Sequence, residues 1–149
     1  MLVKVKKLHD DAVLPKSAQI TDAGADLVAI DDGRVQEDGH GNVLFVEYKT
    51  GIAIEPPPGY HTEIFPRSSV SKKNLVLANS IGLVDEDYRG EILVRFKVIS
   101  SNRHFFEKYN KGERIAQLVL RKTEKAEYEW ADELSDTQRG AGGFGSTGS

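Results

Sequence analysis

An all-β fold, a single-domain sandwich or barrel with one short helix, is what the sequence predicts. Three observations carry it. The chain spreads 14 Gly and 5 Pro along its length, so apolar runs are cut every few residues before a long helix can form. Between Glu91 and Val98 the side chains Ile92, Val94, Phe96 and Val98 alternate with Glu91, Leu93, Arg95 and Lys97, a period of two that gives a strand one buried face. The 149 residues suffice for one core, since a chain of about 150 residues buries about 68–70% of its unfolded surface.

In chain order, strands are expected over Leu2–Lys7, Asp26–Ala29, Val43–Tyr48, Gly51–Glu55, Tyr60–Phe65, Leu75–Ala78, Glu91–Val98, Arg114–Arg121 and Lys125–Trp130, most of them bounded by Gly, Pro, Asn or Asp. The last is placed by Ala126, Tyr128 and Trp130 alternating with Lys125, Glu127 and Glu129. Asp31–Asn42 has four acids, three glycines and Val35 as its one apolar side chain, the composition of an exposed turn or hairpin tip. Pro56, Pro57, Pro58 and Gly59 form a rigid corner. Ser68 to Asn74 is the one helical stretch, with Pro66 before it and two serines able to cap its first turn. A strand–turn–strand hairpin is expected from Asn79 to Glu91.

Composition narrows the function. Twenty Lys plus Arg against 23 Asp plus Glu give a net charge of −3, which disfavours nucleic-acid binding through a neutralised phosphate backbone but leaves room for a local phosphate site. The absence of cysteine removes thiol nucleophiles, disulfides and thiolate-bound metals. The first 20 residues carry Lys4, Lys6, Lys7, His9, Asp10 and Asp11 and no long apolar run, so an intracellular, cytoplasmic protein without a leader or membrane span is expected. The four histidines lack metal-ligand spacing and read as surface or turn residues, and Lys72-Lys73 and Arg121-Lys122 read as solvated faces. Arg103, His104, Phe105 and Phe106 read as a loop packing two rings into the core.

Three segments could carry chemistry. Gly140-Ala-Gly142-Gly-Phe-Gly145 has the letters of a dinucleotide-binding fingerprint, but that motif needs a preceding strand and a following helix, and four residues follow here. With Arg139, Ser146 and Thr147 it still suits phosphate, whose oxygens bare glycine N–H groups approach closely; unbound, it reads as an unstructured tail. Pro66-Arg67-Ser68-Ser69 gathers a guanidinium, hydroxyls and free N–H groups at the head of the short helix, though a plain cap explains Ser68 equally well. Asn79 to Glu91 mounts an amide, the Asp85 carboxylate and the Tyr88 ring on a turn; read alone, it is better explained as an ordinary acidic turn with Tyr88 packing locally.

Taken in order, these pieces resemble the five motifs of trimeric deoxyuridine triphosphatases (dUTPases): Ala23-Gly-Ala-Asp26-Leu27, Pro66-Arg-Ser-Ser69, Gly82-Leu-Val-Asp85-Glu-Asp-Tyr88-Arg-Gly-Glu91, Gly112-Glu-Arg-Ile-Ala-Gln117-Leu, and Arg139-Gly-Ala-Gly-Gly-Phe144-Gly-Ser-Thr-Gly148. The second motif of that family usually ends in Gly where this chain has Ser69. The resemblance implies a jelly-roll-like β domain over residues 1–138 and a flexible C-terminal arm over 139–149 that closes on a neighbouring subunit of a homotrimer. It implies hydrolysis of dUTP to dUMP and pyrophosphate with Mg²⁺ bridging the triphosphate. Asp85 is then the catalytic carboxylate. Arg67, Ser68, Ser69, Gln117 and Arg139 are donors to the phosphates. Asn79, Gly82, Leu83 and Val84 form the uracil pocket, Tyr88 lies against the deoxyribose, Phe144 stacks on the base, and Gly145, Ser146 and Thr147 cover the phosphates. Asp26 acts near the metal through water, and no direct protein ligand to Mg²⁺ is expected. A dCTP deaminase, which shares the fold and an Arg-Ser-Ser motif, and a non-catalytic nucleotide-binding relative are the competing readings.

Overall fold

The structure is a computed structural model that describes residues 1–99 and 106–143. Ten strands run in chain order: β1 Lys4–Lys7, β2 Ala25–Val28, β3 Arg34–Glu37, β4 Val43–Lys49, β5 Ile52–Glu55, β6 Tyr60–Pro66, β7 Leu75–Leu77, β8 Gly82–Val84, β9 Leu93–Val98 and β10 Arg114–Lys122. They form two antiparallel four-stranded sheets, ordered β2-β10-β6-β8 and β3-β4-β9-β7, beside a two-stranded β1-β5 ribbon. This is the jelly-roll-like, nearly helix-free architecture expected.

The alternation in β9 sets its face as expected: Ile92, Val94 and Phe96 are buried while Leu93, Arg95 and Lys97 are exposed. They meet Leu27, Ile64 and Ile115 of the opposite sheet and Tyr48 of β4 in one core. Tyr48, Phe96 and Tyr109 form its aromatic centre, with ring centroids 5.5 to 6.0 Å apart. The Tyr109 N–H donates to the Tyr48 hydroxyl at 2.9 Å. Burial pushes the Tyr48 hydroxyl up from 10.0 to about 12, against the bond from Tyr109. Its neutral form is thus favoured by folding, and this contribution is whole below pH 10 and fades as pH climbs through 12. Tyr48→Phe is expected to cost about 1–3 kcal/mol by orphaning the Tyr109 N–H. Denaturant titrations from pH 8 to 12 should show the wild-type advantage shrinking above pH 10.

Several expectations need correction. Residues 123–143 contain no strand, and Tyr128 and Trp130 are 94% and 104% exposed. The alternation at Lys125–Trp130 is present, but among the described residues no sheet edge pairs with it. The helix is a single 3₁₀ turn, Ser68–Lys72, with no side-chain cap; the serine hydroxyl that bonds there is Ser71, to the Ser68 carbonyl at 2.9 Å. Asn74 follows it at φ 54°, which stops the helix. Asp31–Asn42 is not all turn, because β3 pairs with β4 and the tip is Asp38–Asn42, closed by bonds from the His40 and Asn42 N–H groups to Asp38 Oδ1. The expected 79–91 hairpin does not close on itself: β8 pairs with β6 and β9 with β4 and β7, so residues 85–92 cross from one sheet to the other. Lys73 is not solvated, its side chain being 12% exposed and its Nζ bonded to Glu107 Oε1 and the Lys108 carbonyl. His61 lies on β6, half-buried, with Nδ1 2.8 Å from Thr123 Oγ1. Arg121 and Lys122 are exposed as expected, with Arg121 reaching Glu63 at 3.0 Å. Of Arg103–Phe106, Phe106 alone lies within the described residues, packed against the core.

Candidate active site

Two groups of candidate residues emerge, one at the C-terminal end of β6 and one beside its middle, where β8 pairs with Thr62–Ile64. At its C-terminal end, Pro66 leads straight into Arg67 and the 3₁₀ turn, so Arg67, Ser68 and Ser69 are held at the rim of the β2-β10-β6 surface. β2 brings Asp26 to the same place and β10 brings Gln117, which stands opposite both Asp26 and Phe65 in register. Arg67 Nε donates to Asp26 Oδ1 at 3.0 Å and Arg114 Nη1 to Asp26 Oδ2 at 3.1 Å. Binding Asp26 through Nε leaves the outer face of the Arg67 fork to an anion.

A register shift in β10 between Arg114 and Ala116 lets Arg114 reach this carboxylate, as bulges beside sites do. Sequence reading quoted Arg114 within the fourth motif without assigning it a task; its place three residues before Gln117 in one strand was the available signal. Gly24 matters by its size. A Cβ there would stand 3.0 Å from Gln117 Oε1, so a larger residue would push the amide off the rim.

The second group lines a cleft of about 410 Å³ between β8 and the facing β7 and β9. Ile64, Leu77 and Val94 make its apolar side, and Asn79, Gly82, Leu83, Val84, Asp85 and Tyr88 its edge. The turn from β7 to β8 is tight: the Ser80 N–H donates to the Leu77 carbonyl at 3.1 Å and Ser80 itself takes φ 62°. That conformation is uncommon for a residue with a Cβ and marks a constrained turn. Gly82 is buried and paired with Ile64, whose Cβ would lie 3.0 Å from any Cβ at position 82.

Beyond β8, Asp85 is exposed, and its carbonyl accepts the Tyr88 N–H at 3.2 Å. Tyr88 folds back so that its hydroxyl donates to the Glu91 carbonyl at 3.2 Å. A Cβ on Gly90 would stand 2.3 Å from that hydroxyl, so the ring takes this position because residue 90 is glycine.

The fifth candidate segment is described up to Gly143; Phe144, Gly145, Ser146 and Thr147 lie outside the described residues. Arg139 is exposed and its Nε donates to the Gly142 carbonyl at 2.8 Å, a local turn far from a core. Among the described residues no cluster of three or more His, Asp or Glu could hold a metal ion, and no helix is long and apolar enough to cross a membrane.

Comparison with known proteins identifies the family. Residues 10–148 match the family model described as dUTPase. A deoxyuridine 5'-triphosphate nucleotidohydrolase of Hydrogenobaculum sp. (strain Y04AAS1) is 46% identical over 149 residues, covering 99% of this chain and 99% of that one. Another, of Thermobifida fusca (strain YX), is 43% identical over 98% of this chain and 78% of its own length. Among solved structures, the Staphylococcus bacteriophage 80alpha dUTPase with dUPNHPP superposes with a TM-score of 0.81 at 29% identity, covering 99% of both chains. The chain belongs to the dUTPase family.

Proposed function

We propose that the protein hydrolyses dUTP to dUMP and pyrophosphate, at sites shared among the subunits of a homotrimer, limiting uracil incorporation into DNA and supplying dUMP for dTMP synthesis. The cleft edged by Asn79, Asp85 and Tyr88 is the observation that carries this reading. Its volume suits a pyrimidine nucleoside, its β8 backbone offers donors and acceptors, and of its two lining carboxylates Glu91 already accepts the Gly51 N–H at 2.8 Å while Asp85 stands exposed. Uracil enters beside Gly82–Val84 and the Asn79 amide. Tyr88 lies against the deoxyribose and leaves no room for a 2′-hydroxyl.

Asp85 holds and deprotonates the attacking water. The water oxygen bonds to the α-phosphorus, the bond to the bridging oxygen of the β-phosphate breaks, and pyrophosphate leaves. General-base help of this kind is worth about 10²–10⁴ in rate. The rest comes from donors fixed where charge builds on the phosphates: Arg67, Ser68, Ser69, Gln117 and Arg139. A bound Mg²⁺ would neutralise charge on the triphosphate oxygens. The donor set suits a metal carried in by the nucleotide: Asp26 gives two of its roughly four acceptor positions to Arg67 and Arg114, leaving the others for metal-bound water.

The register along β6 supports a shared site. Val84 pairs with Thr62, so Asp85 stands about six residue steps from Arg67, roughly 20 Å at about 3.3 Å per residue. A span of that length is hard for one triphosphate to bridge within a single chain. A neighbouring subunit's Arg67 brought beside Asp85 solves this. The arm, residues 139–149, would come from a further subunit: residues 124–141 are exposed throughout, as befits a connection running away from the core of its own domain. Ten extended residues reach roughly 33 Å.

The reading is tested by measuring pyrophosphate and ammonia from dUTP, dCTP, dTTP and UTP, each with and without Mg²⁺. Pyrophosphate from dUTP with Mg²⁺, and about 10⁴–10⁵ less from dCTP, is expected, because a site built for uracil's hydrogen-bond pattern leaves buried groups unpaired with cytosine. Ammonia from dCTP, or dUTP binding without pyrophosphate release, would overturn it.

A further inference from the structure

The cleft is lined by a half-buried carboxylate, Glu91, that the proposed chemistry does not use. Its Oε1 accepts the N–H of Gly51, a buried residue in the turn between β4 and β5, at 2.8 Å. Gly51 is itself wedged in place. It takes φ 67°, its carbonyl accepts the Leu8 N–H at 2.8 Å, and a Cβ on it would stand 3.0 Å from those of His9 and Ala12. The anchor of the Glu91 side chain is therefore a fixed point of the fold.

The same residue holds Tyr88. The Glu91 carbonyl accepts the Tyr88 hydroxyl at 3.2 Å, and the N–H of that same peptide, on Ile92, donates to the Ile52 carbonyl at 2.9 Å. Thr50, beside Gly51, donates its hydroxyl to the Ile92 carbonyl at 2.6 Å. Residues 50–52 thus grip residues 91–92 through three bonds, and the Glu91 side chain makes one of them. The ring so held is 47% exposed, so packing alone does not fix it. The bond at its hydroxyl and the bare Gly90 beside that hydroxyl do.

We propose that Glu91 is a positioning residue for sugar selection: its carboxylate, anchored on the Gly51 N–H, fixes the carbonyl that tethers Tyr88 and so sets how closely the ring bounds the 2′ position of the nucleotide. This rests on the reading that Tyr88 lies against the deoxyribose. A wall that excludes a hydroxyl by shape works only while it stays in place, and a displacement of about 1 Å at a positioned group can cost about 10². Without the Glu91 acceptor the buried Gly51 N–H is left unpaired, and the penalty falls on the turn that grips residues 91–92. The tether slackens, and a ribonucleotide gains room that a deoxyribonucleotide does not need.

The test is kcat/KM for dUTP and for UTP in wild type, Glu91→Met, Glu91→Ala, Glu91→Gln, Tyr88→Phe and Tyr88→Ala, with thermal midpoints for each. Glu91→Met keeps the length of the side chain without an oxygen acceptor. Its dUTP-over-UTP ratio should fall about 5-fold or more while kcat for dUTP stays within about threefold, because the lost bond orients Tyr88 and touches no reacting atom. A residue needed only for folding would lower both rates together and leave their ratio alone, whatever the midpoint does. Glu91→Gln retains an oxygen for the Gly51 N–H and should hold the ratio within about twofold of wild type. Tyr88→Phe cuts the tether at its other end and should lower the ratio as Glu91→Met does. A wild-type ratio in both Glu91→Met and Glu91→Ala, loss of folded protein in both, or a Glu91→Gln ratio as low as theirs would overturn the inference, while a collapsed ratio in Tyr88→Ala upholds the sugar reading. A wild-type ratio in Tyr88→Ala would overturn both.

Discussion

Replacing Asp85 with asparagine is expected to lower kcat by about 10²–10⁴ while the affinity for dUpNHpp stays within about threefold of wild type. The exchange keeps the shape and one acceptor oxygen but removes the base, so water must attack without losing a proton to the protein. Asp85 is exposed at the cleft mouth, so the core should not register the change and the thermal midpoint should hold. Single-turnover pyrophosphate release, read beside analogue binding, checks both halves of the expectation. Undiminished turnover would remove Asp85 from the chemistry.

Deleting residues 140–149 should be nearly as damaging to activity and harmless to folding. Stacking of an aromatic ring on a base is worth about 1–3 kcal/mol, which for Phe144 amounts to roughly 5- to 150-fold in binding. Loss of the cover over the phosphates admits water and loosens the reacting geometry, where a displacement of about 1 Å can cost about 10². We therefore expect kcat/KM for dUTP to fall by about 10²–10⁴ with an unchanged thermal midpoint. Folding should be spared because residues 124–141 add nothing to the core. Wild-type kcat/KM in the truncated protein would deny the arm its role as a lid.

The fold was readable where side chains declare both a period and a burial partner. Ile92, Val94 and Phe96 alternate with charged residues and lie against the opposite sheet of the same chain, so pattern and structure agree. Ala126, Tyr128 and Trp130 show the same period, but nothing among the described residues covers them. A period of two names a face and is silent on what covers it. The short helix was overextended by two residues because Asn74 adopts a left-handed backbone, a choice composition permits without requiring.

In the site, the motifs were legible by their order along the chain, and their grouping was not. Pairing Val84 with Thr62 and Gln117 with both Asp26 and Phe65 sorts the motifs into a cleft group beside the middle of β6 and a phosphate group at its C-terminal end. Arg114 was quoted without a task for a related reason: a register shift turns it onto Asp26, and that has no signature in local sequence.

The central claim, that Asp85 and Arg67 of different subunits meet at one nucleotide, is tested by joining two broken chains. Asp85→Asn and Arg67→Ala proteins with different affinity tags are co-expressed, and assemblies bearing both tags are isolated. In a closed ring of three, any mixture of two kinds of chain contains one junction where an intact Asp85 faces an intact Arg67, so about one third of wild-type activity per trimer should return although each variant alone is nearly inactive. If both residues serve the same site from the same chain, every site in the mixed assembly carries a lesion, and activity no higher than that of the separate variants would contradict the account.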